Sequence, residues 1–276
     1  FCVEHIMKKF LYNILIIICC LFSFNFVQAA EIKFVQVSDT HYSLSNPYSE
    51  QVLKAAVADI NNLDNVSFVV FTGDNIDKPN PEDLAKFVNI VNKLNAPYYL
   101  VIGNHDVFKT NGLSKKEYFE VVKNNNLFYK NTTPNYSFTK GEYAFIVVDG
   151  AKELIPGTVG YYKKETLDWL QKKLKKYNKK QVVILQHFPI LSPNETKSHR
   201  TYKAEEYLEM LKKYPNVKAV VSGHYHVNFE KMQDGIYHIS SPSLLAQPNQ
   251  YKVIDMVTTK GFSTMIYTQL RELDVK

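Results

Sequence analysis

Cysteine is scarce in this 276-residue chain, and where it falls matters more than how much there is. All three, Cys2, Cys19 and Cys20, lie near the N-terminus. Everything after them can form no disulfide and can offer no thiolate to a metal. A disulfide-stapled fold and a cysteine-ligated structural zinc site are thereby excluded for the main body of the protein. Acidic residues are also in deficit, 27 against 33 Lys and Arg, but the resulting +6 is dispersed rather than gathered into a patch. The densest basic run, Lys172-Lys173-Leu174-Lys175-Lys176, shares its stretch with Leu167 and Leu170 at helical spacing. It reads as the solvated face of a helix, and no specific nucleic-acid partner is implied. Low-complexity segments and internal repeats are absent, and 45% hydrophobic residues are ample for a packed core. Disordered and fibrous classes are therefore excluded.

Long apolar runs are missing as well, with one exception. Lys8-Lys9 precedes an apolar run over residues 10–26, and Val27-Gln28-Ala29-Ala30 follows it. These are the charged region, hydrophobic region and small-residue cleavage site of a secretory signal. The expectation is a leader over residues 1–29 with its true start at Met7, and a single domain over residues 30–276 exported to the periplasm or secreted. The alternative is an uncleaved leader that anchors the protein, and membrane contact is expected only through that segment. Lipid attachment at Cys19 or Cys20 is disfavoured, because bulky Ile18 and Cys19 stand where a small residue is wanted.

Beyond the leader the pattern is strand, helix, strand, helix, strand. Residues 31–38 alternate apolar and polar side chains and stop at Asp39-Thr40-His41; residues 49–63 carry Val52, Ala55, Ala56, Ile60 and Leu63 at helical spacing. A second apolar strand, residues 67–72, stops at Gly73-Asp74, and Pro81 opens the next helix. The third, residues 98–102, stops at Gly103-Asn104-His105-Asp106. Such an order predicts parallel strands with right-handed crossovers and all carboxyl ends on one edge, where α/β enzymes keep their chemistry. Ser114 and Glu117 have capping-box form. Lys140-Gly141-Glu142 reads as a hairpin turn. Residues 181–186 form a strand ending at His187, a helix follows through Tyr207, Leu208 and Leu211, and residues 217–222 form a strand ending at Gly223-His224-Tyr225-His226. The remainder is predicted as short β segments broken around Gly235 and Gly261.

Seven histidines remain after His5, and five of them directly follow apolar strands. His41, His105, His187, His224 and His226, with Asp39, Asp74 and Asn104, make a mixed nitrogen and oxygen donor set large enough for two cations. In extended geometry Asp39 and His41 point the same way and can grip one ion. With no thiolate available, the set suits divalent Mn, Fe, Co, Ni or catalytic Zn.

Taken in order, Asp39-x-His41, Gly73-Asp74, Gly103-Asn104-His105-Asp106, His187 and Gly223-His224-x-His226 resemble the calcineurin-like metallophosphoesterase family over roughly residues 31–230. The resemblance implies an α/β fold, a four-layer αββα sandwich of two mixed β-sheets with a dinuclear metal site at the sheet edges. It also implies Asp39, His41 and His226 on one metal, Asn104, His187 and His224 on the other, and Asp74 bridging both. On this pattern two divalent ions activate a shared hydroxide against a small phosphate ester. His105 stands free as general acid, and Asp106 is either its orienting partner or a helix or turn cap. Purple acid phosphatases carry a glycine where His41 stands and a tyrosine where Asp77 stands. The chain is thus more similar to the cyclic nucleotide and general phosphodiesterase branch, and Asp77 is expected to cap a turn. His199, Arg200, Tyr225 and Tyr42 are candidates to contact substrate, and His238 is expected to be structural. Hydrolysis of phosphomonoesters or phosphodiesters is the expected activity. A nuclease, or a non-catalytic protein that binds metal or phosphate on the same fold, is the alternative.

Overall fold

A computed structural model describes residue 7 and residues 29–193, 199–259 and 264–275. The expected leader therefore lies outside the described residues apart from Met7 and Ala29. Within them, no helix is long and apolar enough to cross a membrane.

Two mixed β-sheets form the centre. The first has strand order β11-β10-β1-β2-β3, built from β1 (Ala29–Val37), β2 (Val66–Phe71), β3 (Tyr98–Leu100), β10 (Gln250–Thr259) and β11 (Thr264–Glu272). The second has order β4-β5-β6-β7-β9-β8, from β4 (Tyr136–Lys140), β5 (Tyr143–Val147), β6 (Gln181–Leu185), β7 (Val217–Ser222), β8 (Phe229–Gln233) and β9 (Ile236–Ser240). Strands β1, β2 and β3 are mutually parallel, as are β5, β6, β7 and β9. Near-continuous apolar sequence is what such strands need, because both their faces are covered.

One face of each sheet meets the other sheet. Phe34, Phe68 and Phe145 bring β1, β2 and β5 together there, with ring centroids 4.7 to 5.5 Å apart. Ile32, Val70, Val147, Leu185, Val221 and Ile254 complete this inner core. Residues of alternate parity, such as Val35, Val37, Val69, Phe71, Ile146 and Ile184, face outward and join the helices in a second apolar cluster. Helices α1 (Pro47–Asn61), α2 (Pro81–Val91) and α3 (Lys115–Asn125) follow the strands of the first half; α4 (Lys164–Lys176) and α5 (Ala204–Leu211) follow those of the second. Phe87 of α2 packs edge-on against Phe71 of β2, and Tyr177 at the end of α4 reaches Ser137 of β4. The αββα layering expected from the resemblance is the one adopted.

Local sequence explains most element ends. Asn46 and Asn80 cap α1 and α2 ahead of prolines at the first helical position, so α1 starts at Pro47, two residues before the stretch read as helical. Ser114 and Glu117 form the capping box of α3. Two expectations need correction. Strand β3 stops at Leu100: Val101 N–H still bonds the Phe71 carbonyl, but Gly103 N–H has turned to Asp106. The C-terminal part is not a series of short segments, since β10 spans 10 residues and pairs antiparallel with both β1 and β11. It covers the edge of β1 that would otherwise expose unpaired backbone groups. Gly235 does sit in the β8–β9 hairpin, whereas Gly261 lies outside the described residues.

Candidate metal centre

Every parallel strand of the central sheets delivers its last residues to the same edge, and the backbone there is unusual. Asp39, His41, Asp74, His224 and His226 all have left-handed backbone angles, with φ of 51°, 40°, 50°, 74° and 57°. Each such conformation in a residue with a Cβ costs on the order of 1–3 kcal/mol and persists only when its surroundings impose it. Here the surroundings are hydrogen bonds between strand ends. Asp39 N–H donates to the Gly73 carbonyl and His41 N–H to the Asp74 carbonyl, both at 3.0 Å. His224 N–H donates to the Asp39 carboxylate, and Ser243 Oγ to the Asp39 carbonyl. Close approach also requires glycine. A Cβ on Gly103 would lie 2.1 Å from Asp74 Oδ1, and one on Gly223 would lie 2.0 Å from Ser38 Oγ.

The side chains converge into three overlapping groups, two of them sharing Asp74 and the third made of His41, Asp77 and His105. Asp39, His41, Asp74 and His226 place donor atoms within 4.8 Å of one another, and so do Asp74, His187 and His224. Asp74 belongs to both, the position a bridging carboxylate would take. His226 Nε2 stands 3.2 Å from Asp39 Oδ1, and His187 Nε2 stands 3.3 Å from Asp74 Oδ2 and 3.2 Å from Asn104 Oδ1. Outer ring nitrogens are occupied elsewhere: His187 Nδ1 bonds the Thr72 carbonyl at 2.9 Å and His224 Nε2 the Thr158 carbonyl at 2.7 Å. Each ring is thereby oriented with its opposite nitrogen toward the centre, as ligand imidazoles require. The donor set fits two divalent cations.

Electrostatics point the same way. Burial opposes the charge on His187, yet the neighbouring Asp74 and Asp39 carboxylates outweigh it and lift the imidazole to about 9. Burial likewise opposes ionisation of Asp39 and Asp74, but the adjacent histidines hold both carboxyls below their ordinary value. Burial and the His187 charge push His224 down to about 3, and burial lowers His41. Asp39 and Asp74 thus stay ionised and His41 and His224 neutral, the donor states a cation needs, whereas His187 holds a proton that a cation in its place would displace.

His105 flanks the first group. Its ring is edge-on to His41 with centroids 4.7 Å apart, its N–H donates to Asp74 Oδ1 at 2.9 Å, and Nδ1 meets the Asp77 carbonyl at 2.8 Å. Asp106 does not do what adjacency in sequence suggested. Fully buried, its Oδ1 accepts from Asn75 N–H and Ile76 N–H, and its Oδ2 from Gly103 N–H and Asn75 Nδ2. It ties the β2 loop to the β3 loop, and the Asp77 carbonyl takes the orienting place beside His105. The Asp77 side chain, read as a turn cap, faces His41 Nδ1 at 3.8 Å.

Of the expected substrate contacts, His199 lies 5.3 Å from His224 and 6.3 Å from Tyr225, ring to ring, at the margin of the second group. Arg200 turns to Glu205 at 3.0 Å, where α5 begins. Tyr42 is corrected outright: it is fully buried, with its hydroxyl directed to Glu50. His238 is buried in β9, as a structural residue would be. Asn75, which bonds Asp106, Tyr118 and the Val101 carbonyl, was not singled out, although it directly follows Asp74. Thr72 and Thr158 act through carbonyls, which side-chain identity cannot reveal.

Comparison with known proteins agrees with this geometry. The pattern of the family described as calcineurin-like phosphoesterase matches residues 32–228. A 3′,5′-cyclic-nucleotide phosphodiesterase of Nostoc is 27% identical over 184 residues, covering 66% of this chain and 64% of that protein, slightly under two thirds of its length. A probable glycerophosphodiester phosphodiesterase of Arcobacter nitrofigilis is 27% identical over 202 residues, covering 70% of this chain and 71% of the relative. Among solved structures, a dimetal phosphatase from Danio rerio superposes with a TM-score of 0.65 at 16% identity, over 86% of this chain and 98% of its own. A match that takes in well over half the chain and spans both ligand groups settles the family: this protein belongs to the calcineurin-like phosphoesterases, hydrolases of phosphoester bonds that work with two divalent metals.

Proposed function

We propose that this protein is an exported hydrolase of small phosphodiesters, with phosphomonoesters as poorer substrates. The observation that carries the reading is Asp74 shared between two histidine groups, with His105 beside them and its ring left out of both. Names of relatives support the diester preference, since cyclic-nucleotide and glycerophosphodiester phosphodiesterases are both diester hydrolases. Export rests on the leader read over residues 1–29.

Asp39, His41 and His226 would hold one metal, Asn104, His187 and His224 the other, and Asp74 both. When bound, such a pair lowers the pKa of water and offsets phosphate charge. Asn104 contributes a neutral amide oxygen and so leaves positive charge for the phosphate to meet. His105, with Nδ1–H on the Asp77 carbonyl, has Nε2 left to give a proton to the departing alkoxide. Asp106 keeps the loops that carry Asp74 and His105 in register.

The chain from Ala30 onward, loaded with Mn, is expected to hydrolyse bis(4-nitrophenyl) phosphate faster than 4-nitrophenyl phosphate. Activity should vanish on chelation and return with metal. Two bound metals with no turnover of either ester would instead mark a non-catalytic binding protein, and no bound metal would overturn the site.

A further inference from the structure

Tyr161 and Tyr202 are 42% and 53% exposed, more than a fold needs of two large rings, and they stand together with centroids 5.6 Å apart and planes tilted by 41°. Both are anchored through their backbones. Tyr161 N–H donates to the Gly150 carbonyl and Tyr202 N–H to the Gly160 carbonyl, each at 2.8 Å. Gly160 lies so close to Phe188 that a Cβ on it would come within 2.4 Å of the Phe188 Cβ. The Phe188 ring in turn sits 4.8 Å from both His187 and His224. Thr158, in the same loop, accepts the hydrogen bond from His224 Nε2. The tyrosine pair is thus fixed to the scaffold of the second ligand group, whose His224 also has the rings of His199 and Tyr225 beside it.

His105 lies beside the first ligand group, against His41 and Asp77, and makes none of these contacts with the second. In an in-line displacement the leaving group departs toward the acid and opposite the attacking oxygen, so a substituent that points away from His105 and lateral to that line is one that stays on phosphorus. Exposed aromatic rings with polar tips, carried on a backbone that is held at both positions, make stacking platforms for planar groups. From this placement we infer that Tyr161 and Tyr202 form a subsite for a planar aromatic group on the retained ester of a phosphodiester. The inference rests on the phosphoesterase reading above and deepens it. A monoester has no second group, so the subsite can favour diesters alone.

Five substrates that release the same nitrophenolate isolate the effect: 4-nitrophenyl phosphate, its methyl, hexyl and phenyl diesters, and thymidine 5′-(4-nitrophenyl phosphate), assayed on the Mn-loaded protein and on a Tyr161→Ala/Tyr202→Ala variant. The expected result is a KM for the phenyl diester raised about tenfold in the variant. Its kcat, and all constants for the monoester and the methyl diester, should stay within about twofold, which also reports that the variant is folded. The thymidine 5′-(4-nitrophenyl phosphate) arm separates the two sources of a ring, a nucleobase if it shows the same loss and a simple aryl ester if it does not. An unchanged KM for the phenyl diester would overturn the subsite. Equal loss on the methyl diester would place the departing ring there and overturn the assignment, and equal loss on the hexyl diester would reduce the surface to a plain apolar patch. A wild-type protein that cleaves none of the esters would instead bring down the phosphoesterase reading itself.

Discussion

His105 and His238 show how differently two histidines can be used in one chain. His105 is held by its backbone to Asp74 and by Nδ1 to the Asp77 carbonyl, and its ring is no part of either group that contains Asp74. Replacing it with Ala should therefore leave both metals bound, by elemental analysis, while kcat on a diester with a poor leaving group falls about 10²-fold or more. An undiminished rate would remove its role as acid. His238 is 4% exposed in β9, and its Nε2 has no hydrogen-bond partner. Burial, helped by nearby Lys231, pushes it down to about 4. The unfolded chain takes up this proton near 6.5 and the folded one only near 4, so falling pH favours unfolding across that window. The loss saturates below 4, at about 3 kcal/mol for this one group. His238→Leu should flatten the fall in melting temperature between pH 6.5 and 4, and a parallel curve would show that the group is not buried neutral.

At the scale of elements, the strand ends are what make the site. Three parallel strands of the first sheet, with β6 and β7 of the second, carry the ligand residues to one edge, and the loops that leave them are locked to one another as well as to helices. Asp106 alone joins Gly103, Asn75 and Ile76. Gly103 lets the β3 loop pass within contact of Asp74, and the Cβ of an alanine there would overlap its carboxylate. Gly103→Ala is expected to displace Asp74, the carboxylate common to both ligand groups, and so to lower metal content below two per chain. The strands themselves should survive, because the mutated residue lies beyond β3. Titration with Mn followed by elemental analysis, beside far-ultraviolet circular dichroism, checks this: full stoichiometry would mean that the loop can yield.

For the whole molecule, stability and metal binding are linked. The described residues contain no cysteine, so the fold relies on its two apolar clusters and on whatever binds the native state preferentially. The ligands come from five strand ends that meet only in the folded chain, so metal should bind the folded form almost exclusively. At a free metal concentration 100 times the dissociation constant, each site would add about 2.7 kcal/mol. Chelation is expected to lower the melting temperature by several degrees and re-addition of metal to restore it, as scanning calorimetry would measure. A melting temperature indifferent to chelator would mean that the ligand cluster is preformed but does not capture cations. The dispersed charge adds no strong field, so association with small anionic esters should show only modest salt dependence.

Much of this protein was determined locally. Apolar runs ending in Asp39, Asp74, Asn104, His187 and His224 marked the strands and the edge, because a strand buried on both faces must be apolar and its polar residues must begin where it ends. Caps at Asn80 and Ser114 fixed helix starts for the same kind of reason, a few residues setting their own backbone bonds. What tertiary structure decided is everything that depends on which loop lies beside which. Asp106 turned to Asn75 and Gly103 instead of His105, and Tyr42 went into the core. The carbonyls of Thr72, Asp77 and Thr158 became orienting partners. Backbone carbonyls are alike at every residue, and a carboxylate binds the donors nearest in space, so these choices are made only when the strand ends converge.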